Sequence, residues 1–375
     1  MKFPPFKLER IQSLYENSVE VNLTESGVEP LSLKELMNTE ELEELINIPI
    51  GYGYTQGSPL LRQRISNLYK EYDEKNVLVT SGSSEAIFLS ASLTVSKGDR
   101  VVMMTPNYLS FSGIAKALGA EVDYVPLLKK EKWEWDLDLL SQVVNEETKV
   151  ISICNPNNPT GSVLSEEEMK KITKIAEKVD AYIHSDEVYI GAELSNSQTI
   201  SFQNIYEKTI ITSGLSKSYS HPGLRIGWIA ASETLVTKAW ETKDYTTVAS
   251  SILSQHIASK VLETETIARL RKRTKDLLNR NLISFKKWVL PYSNHLSFIK
   301  PEAGGFAFVE YDMDINSSDL IHDLRTNEGV FSVPGDSFGM DKFFRIGLGS
   351  REEEFIKGLE LLSQGLSRIF PDIFT

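Results

Sequence analysis

Between Asn76 and Ala231 the chain alternates short apolar runs with stretches of helical period. Runs 77–80, 101–104, 122–125, 150–154, 181–185, 210–213 and 226–230 are apolar at most positions and rich in Val and Ile, the pattern of strands buried on both faces. Segments 85–95 and 165–179 between them read as helices. The second opens on Ser165 with Glu168 three residues later, a capping-box start. Strand–helix alternation of this kind predicts an α/β fold with a mostly parallel central sheet, flanked by helices, that binds its ligands beyond the carboxyl ends of the strands. After Ala231 the pattern changes. Residues 233–288 read as long, helical and charged, with Arg269, Arg271, Lys272, Arg273 and Lys275 as a solvated face. From Pro291 on, short strands (306–310, 343–348) mix with helices (318–327, 352–367), the makings of a smaller α+β unit. The first 45 or so residues have no place in the central sheet and are expected to pack with that unit. The predicted division is a large domain over 45–280 and a small domain built from 1–44 and 281–375.

Charge and composition narrow the function classes. With 52 acidic and 40 basic residues and a net charge of −12, the chain is a poor nucleic-acid partner. Cys154 is the only cysteine, which excludes an intramolecular disulfide and a Cys-based zinc cluster. No run approaches the roughly 20 apolar residues of a membrane helix. The N-terminal residues, with two prolines and early charges, do not read as a signal peptide, so a cytoplasmic protein is expected.

The candidate chemistry collects at the predicted strand ends. After 77–80 comes Ser81-Gly82-Ser83-Ser84-Glu85, then a helix. Glycine and small hydroxyl residues at a helix N-terminus suit a phosphate, and they equally suit simple capping. After 150–154 comes Asn155-Pro156-Asn157-Asn158-Pro159-Thr160-Gly161, which presents an amide at a strand end on a stiff turn. After 181–185 comes Asp186, a carboxylate that is costly to bury unless it meets a cation, or else a cap for the next helix. After 210–213 comes Gly214-Leu215-Ser216-Lys217-Ser218-Tyr219, and eight residues beyond the lysine stands Arg225. A desolvated lysine is an amine nucleophile able to form a Schiff base, and an arginine can hold a phosphate dianion. Either residue alone would read as surface. Other motifs fail on spacing. Gly51-Tyr52-Gly53 with Gly57 misses the dinucleotide fingerprint, 214–218 lacks the glycine pair of a P-loop, and no nucleophile elbow or zinc motif forms.

Taken in order and spacing, these segments resemble the class I/II aminotransferases, fold-type I enzymes dependent on pyridoxal 5′-phosphate (PLP), from about Leu23 to Arg351. The resemblance implies that Lys217 carries the cofactor as a Schiff base and later shuttles a proton. It implies that Asp186 pairs with the protonated pyridine nitrogen, that Asn158 and Tyr189 hydrogen-bond the ring hydroxyl oxygen, and that Tyr108 stacks on the ring. Ser83, Ser84 and Arg225 would hold the phosphate. Arg345 would clamp the substrate carboxylate, with Gly27 and Asn158 beside it. Tyr52, or Tyr54, would reach the phosphate of a neighbouring subunit, so a homodimer with shared active sites is implied. Gly214 departs from the family, whose members often carry a phosphate-binding serine there; Ser213 or Ser216 are the substitutes at hand.

The implied reaction moves an amino group between an L-amino acid and a 2-oxo acid. A rival keeps the cofactor and changes the outcome: Glu25-Ser26-Gly27-Val28-Glu29-Pro30 resembles the capreomycidine synthase-like branch of PLP lyases and cyclases, which act on guanidino amino acids. Glu25 and Glu29 would then meet a cationic substrate side chain, or they are surface turn charges. A binding protein that kept the fold and lost catalysis is disfavoured, because the lysine, aspartate and arginine are all present.

Overall fold

The structure is a computed structural model and describes residues 2–203 and 205–374. Its largest sheet, eight strands among the described residues, runs in the order Val77–Thr80, Gly227–Ala230, Thr209–Gly214, Tyr182–Asp186, Thr148–Cys154, Arg100–Thr105, Glu121–Leu128, Glu134–Trp135. The five strands from Thr209–Gly214 to Glu121–Leu128 are mutually parallel, and Val77–Thr80, Gly227–Ala230 and Glu134–Trp135 are antiparallel to their neighbours. This is the mostly parallel sheet that the alternating pattern predicts.

The strands are continuously apolar because both faces are covered. Along Arg100–Thr105, Val101 and Met103 turn to Ile87, Ala91, Phe111, Ile114 and Ala115 on helices Ser83–Thr94 and Ser110–Leu118. The alternate residues, Val102 and Met104, turn to Met169, Ile172 and Ala176 on helix Glu166–Lys178. That helix starts where Ser165 and Glu168 complete the capping box. Parallel strands place their carboxyl ends on one edge of the sheet, so Thr105, Cys154, Asp186 and Gly214 and the loops behind them share that edge.

The expected long helical stretch is three helices, Glu233–Lys243, Ile252–Val261 and Thr264–Val289. The first ends before Thr246-Thr247-Val248, β-branched residues that crowd the preceding turn, and Ser251 caps the second by accepting from the Ser254 N–H.

A second sheet is antiparallel, ordered Leu296–Phe298, Phe306–Tyr311, Phe343–Gly347, Val333–Pro334. Phe344 and Ile346 share a core with Leu278, Leu282 and Phe285 of the long helix and with Phe355 and Leu362 of helix Glu352–Ile369. The N-terminal residues divide between the two cores. Val21–Asn22 pairs in parallel with Val330–Phe331, and Val21, Leu23 and Val28 join the second core. Leu31, Leu36, Met37, Leu42 and Leu45 pack instead with Leu61 and Ile65 of helix Pro59–Ser66 and with Val77 and Trp228 of the large sheet, which cover the apolar faces of Leu33–Leu36 and Thr39–Ile46. Helix Lys7–Tyr15 sends Leu8 into the large-sheet core and lies across the shared strand edge.

Candidate active site

That edge holds a cavity of about 230 Å³. Lys217, Asp186, Tyr189, Asn158, Tyr108, Ser83, Ser84, Ser216, Arg225 and Arg345 all line it, from segments far apart in the chain.

Asp186 ends its strand with 7% of its surface exposed. Its carboxylate accepts from the Val188 N–H at 3.3 Å, and no ion pair involves it among the described residues. Burial pushes its carboxyl up to about 7, with the Val188 N–H and the charge of Lys217 pulling the other way. A buried carboxylate that faces a cavity and has no ion-pair partner of its own suits a ligand that brings a cation. Two residues earlier His184 bridges Ser152 and Thr212 and stacks on Phe111, and burial lowers it to about 3, so it is a neutral ring within the sheet.

The Lys217 ammonium donates to Glu25 Oε1 at 2.6 Å. That same oxygen accepts from the Ser26 and Gly27 N–H groups, each at 2.8 Å. Glu25 sits in a concave wall: protein surrounds its carboxylate, yet 49% of its side chain faces the opening. Burial raises its pKa, but Lys217, the Gly27 N–H and Arg345 outweigh that and hold it near 2. Gly27 itself stays off the wall; a Cβ there would stand 3.0 Å from the Ser216 carbonyl and 3.4 Å from Lys217 Cα, so it backs the lysine.

Arg345 is 1% exposed. Its Nη1 donates to Asn158 Oδ1 at 2.7 Å and its Nη2 to the Thr24 carbonyl at 2.6 Å, while Nε has no partner. With its oxygen engaged, the Asn158 amide keeps Nδ2 as its free donor at the cavity. Tyr189 donates to Ser26 Oγ at 2.9 Å and sets its ring edge-on to Phe306, and Tyr108 donates to Glu9 Oε1 at 2.8 Å. Burial pushes both phenols well above their usual value.

At the other end of the cavity, helix Ser83–Thr94 begins behind Gly82, whose φ of 84° only glycine adopts without strain. First-turn N–H groups such as those of Ser83 and Ser84 have no acceptor within a helix. Arg225 approaches so closely that a Cβ on Gly82 would lie 2.4 Å from its Nη2. The guanidinium donates to the Pro222 carbonyl and has no acidic partner among the described residues. Helix start and free cation together make an anion cradle. Gly214 lies beside it: a Cβ would stand 3.0 Å from the Ile226 carbonyl and 3.7 Å from Ser83 Cβ, leaving little room for a serine. Of the two substitutes, Ser213 donates to the Glu187 carbonyl away from the cavity, because strand neighbours face opposite ways, and Ser216 is the one on the wall.

Tyr52 and Tyr54 are 82% and 62% exposed and are not among the residues that line this chain's cavity. Two points depart from the sequence reading. Glu29 pairs with Arg351 at 2.8 Å and is absent from the wall, whereas Glu25 belongs to it. Leu8, Glu9, Gln12, Ser13 and Glu16 of the N-terminal segment also line the cavity, and sequence reasoning gave them no role. Their only signal was the helical spacing of Leu8, Ile11 and Tyr15, which places a helix but not what it covers.

A lysine, a buried unpaired carboxylate and an anion cradle around one cavity at the carboxyl edge of an α/β sheet define a PLP-type site, and the residues present fit that cofactor. The family model for aminotransferase class I and II matches residues 32–360, and the chain belongs to that family of PLP-dependent aminotransferases. A PLP-dependent aminotransferase structure from Streptococcus suis superposes with a TM-score of 0.92 at 33% identity, covering 98% of this chain and 99% of that one. Among curated proteins, the chain is 27% identical over 331 residues to a capreomycidine synthase of Streptomyces vinaceus, covering 88% of this chain and 84% of the relative. It is 25% identical over 329 residues to an aspartate aminotransferase of Pyrococcus abyssi, covering 84% of each.

Proposed function

We propose that the protein transfers an amino group between an L-amino acid and a 2-oxo acid, with Lys217 as the residue that bonds the cofactor and then moves the proton. The convergence of Lys217, Asp186, Arg225 and Arg345 on one cavity carries this reading. PLP, when bound, supplies an aldehyde that condenses with amines and a ring nitrogen that draws electron density away from the substrate Cα. Arg225 and the N–H groups at Ser83 and Ser84 would hold the phosphate. Asp186, ionised against the ring nitrogen, would keep the proton there. Asn158 Nδ2 and Tyr189 would face the ring hydroxyl, and Tyr108 the ring plane. Arg345 receives the substrate carboxylate and so orients the Cα–H bond toward Lys217. The freed lysine, in its neutral form, takes the Cα proton and returns it on the far side of the reaction. Helix Lys7–Tyr15 keeps bulk water from the centre.

The test is Lys217→Ala: turnover is lost by orders of magnitude while the circular dichroism spectrum stays unchanged. A variant that still transaminates would end the assignment. Similarity to capreomycidine synthase favours a second reading, a lyase or cyclase reaction at the same site. Mixing the holoenzyme with an amino acid alone separates the two, since only transamination accumulates pyridoxamine phosphate.

A homodimer belongs to the same proposal. The exposed side chains of Ile46, Ile50, Tyr52, Tyr54 and Tyr245 are the ones we assign to its interface.

A further inference from the structure

We infer that the amino acid taken by this site has a positively charged side chain, received by Glu25 with Glu16 and Glu9 around it. The inference rests on the aminotransferase reading and on the charges that face the cavity. Three cations line it, Lys217, Arg225 and Arg345, and four carboxyl groups, Asp186, Glu9, Glu16 and Glu25. That reading matches Arg225 with a phosphate, Arg345 with the substrate carboxylate and Asp186 with a ring nitrogen. Lys217 would be drawn off to the cofactor and so would no longer pair with Glu25. Three carboxyl groups then remain without a counter-ion.

Each remains for a physical reason. Glu25 is held in place by the Ser26 and Gly27 N–H groups, which favour its charged form, so it keeps its position when the Lys217 amine leaves it. Glu16 has no cation within ion-pair distance among the described residues, and burial together with the charges of Glu25 and Glu9 raises its pKa. Glu9 accepts from the Tyr108 hydroxyl, a neutral donor that leaves its charge uncompensated. Arg345 lines the same cavity and has no acidic partner among the described residues, so it is the end that takes the substrate's carboxylate. The substrate's side chain then meets the acidic wall, where a carboxylate side chain is repelled, a neutral one leaves the charges uncompensated, and an ammonium or guanidinium neutralises them.

Spectral titration of the holoenzyme with L-lysine, L-arginine, L-norleucine and L-aspartate tests this. L-Lysine or L-arginine should bind at least about tenfold more tightly than L-norleucine at low salt, the range of a partly exposed ion pair to a small cluster, and the gap should narrow as salt rises. L-Aspartate should bind weakest. Glu25→Gln should remove most of the preference for the cation, and Glu16→Gln, which removes a flanking charge, should cut it a few-fold. L-Norleucine binding as tightly as L-lysine, or an unchanged ratio in both variants, overturns the inference and leaves the aminotransferase reading standing. A cofactor spectrum indifferent to every amino acid overturns both.

Discussion

Burial drives the Asp186 carboxyl up to about 7, and that sets how the cofactor-free protein responds to pH. An acid whose pKa is higher folded than unfolded holds more protons in the native state. Stability contributed this way is present at low pH and lost as pH rises from about 4 to about 7. Glu187, fully buried beside it and also raised to about 7 by desolvation, acts in the same sense. Glu25 works the other way. Its depressed value stabilises the fold above its ordinary pKa of 4.5, and that contribution disappears as pH falls toward 2. Asp186→Asn should therefore raise the melting temperature of the cofactor-free protein at pH 8 by a few degrees. It should also lower turnover of the holoenzyme by several orders of magnitude, since the amide cannot hold the proton on the ring nitrogen. A melting temperature unchanged at pH 8 would mean that the carboxyl is not strained by burial. Asp186 was legible in the sequence because a carboxylate directly after an apolar strand is conspicuous. Ser26, which receives the Tyr189 hydroxyl, was not, because a serine in a loop has many ordinary uses.

Elements meet at the anion cradle with almost no free space. A Cβ on Gly227 would come within 2.4 Å of Gly82 C and Ser83 N, backbone atoms at the mouth of helix Ser83–Thr94. Gly227→Ala must push that helix start away from Arg225. The expected outcome is a loss of PLP affinity of roughly tenfold or more, the scale of one or two charge-assisted hydrogen bonds, with little change in helix content. Equal affinity in equilibrium dialysis would show that the cradle tolerates the shift and does not depend on this packing. Strand positions were readable from sequence to within one to three residues because a continuous apolar run covered on both faces has few other uses. The break at 244–251, in what looked like one charged helix, was missed. It depends on Thr and Val disfavouring the helix only slightly, a weak local preference that tertiary packing settles.

For the whole molecule, the exposed apolar surface of Ile46, Ile50, Tyr52, Tyr54 and Tyr245 makes a testable demand. Light scattering should give twice the mass of one chain, and Tyr245→Glu, at a side chain 92% exposed in the single chain, should shift the protein toward monomer and lower its activity with it. A monomeric wild-type protein with full activity would remove the need for a shared site. The sequence by itself determined the α/β order, the chemistry waiting at each strand end and the family. All of these rest on short-range patterns: a strand's period, a cap, a polar residue following an apolar run. Tertiary structure alone decided which walls enclose that chemistry. Glu25 reaches Lys217 across 192 positions because Val21–Asn22 is paired with Val330–Phe331, and Glu29, four residues on, is drawn off to Arg351. Ser213 turns away from the cavity by the alternation of a strand whose register its neighbours fix, and Ser216, beyond the end of that strand, lies on the wall. Contacts of that range leave no local mark on the chain, since they exist only once two separate cores have formed and brought their edges together.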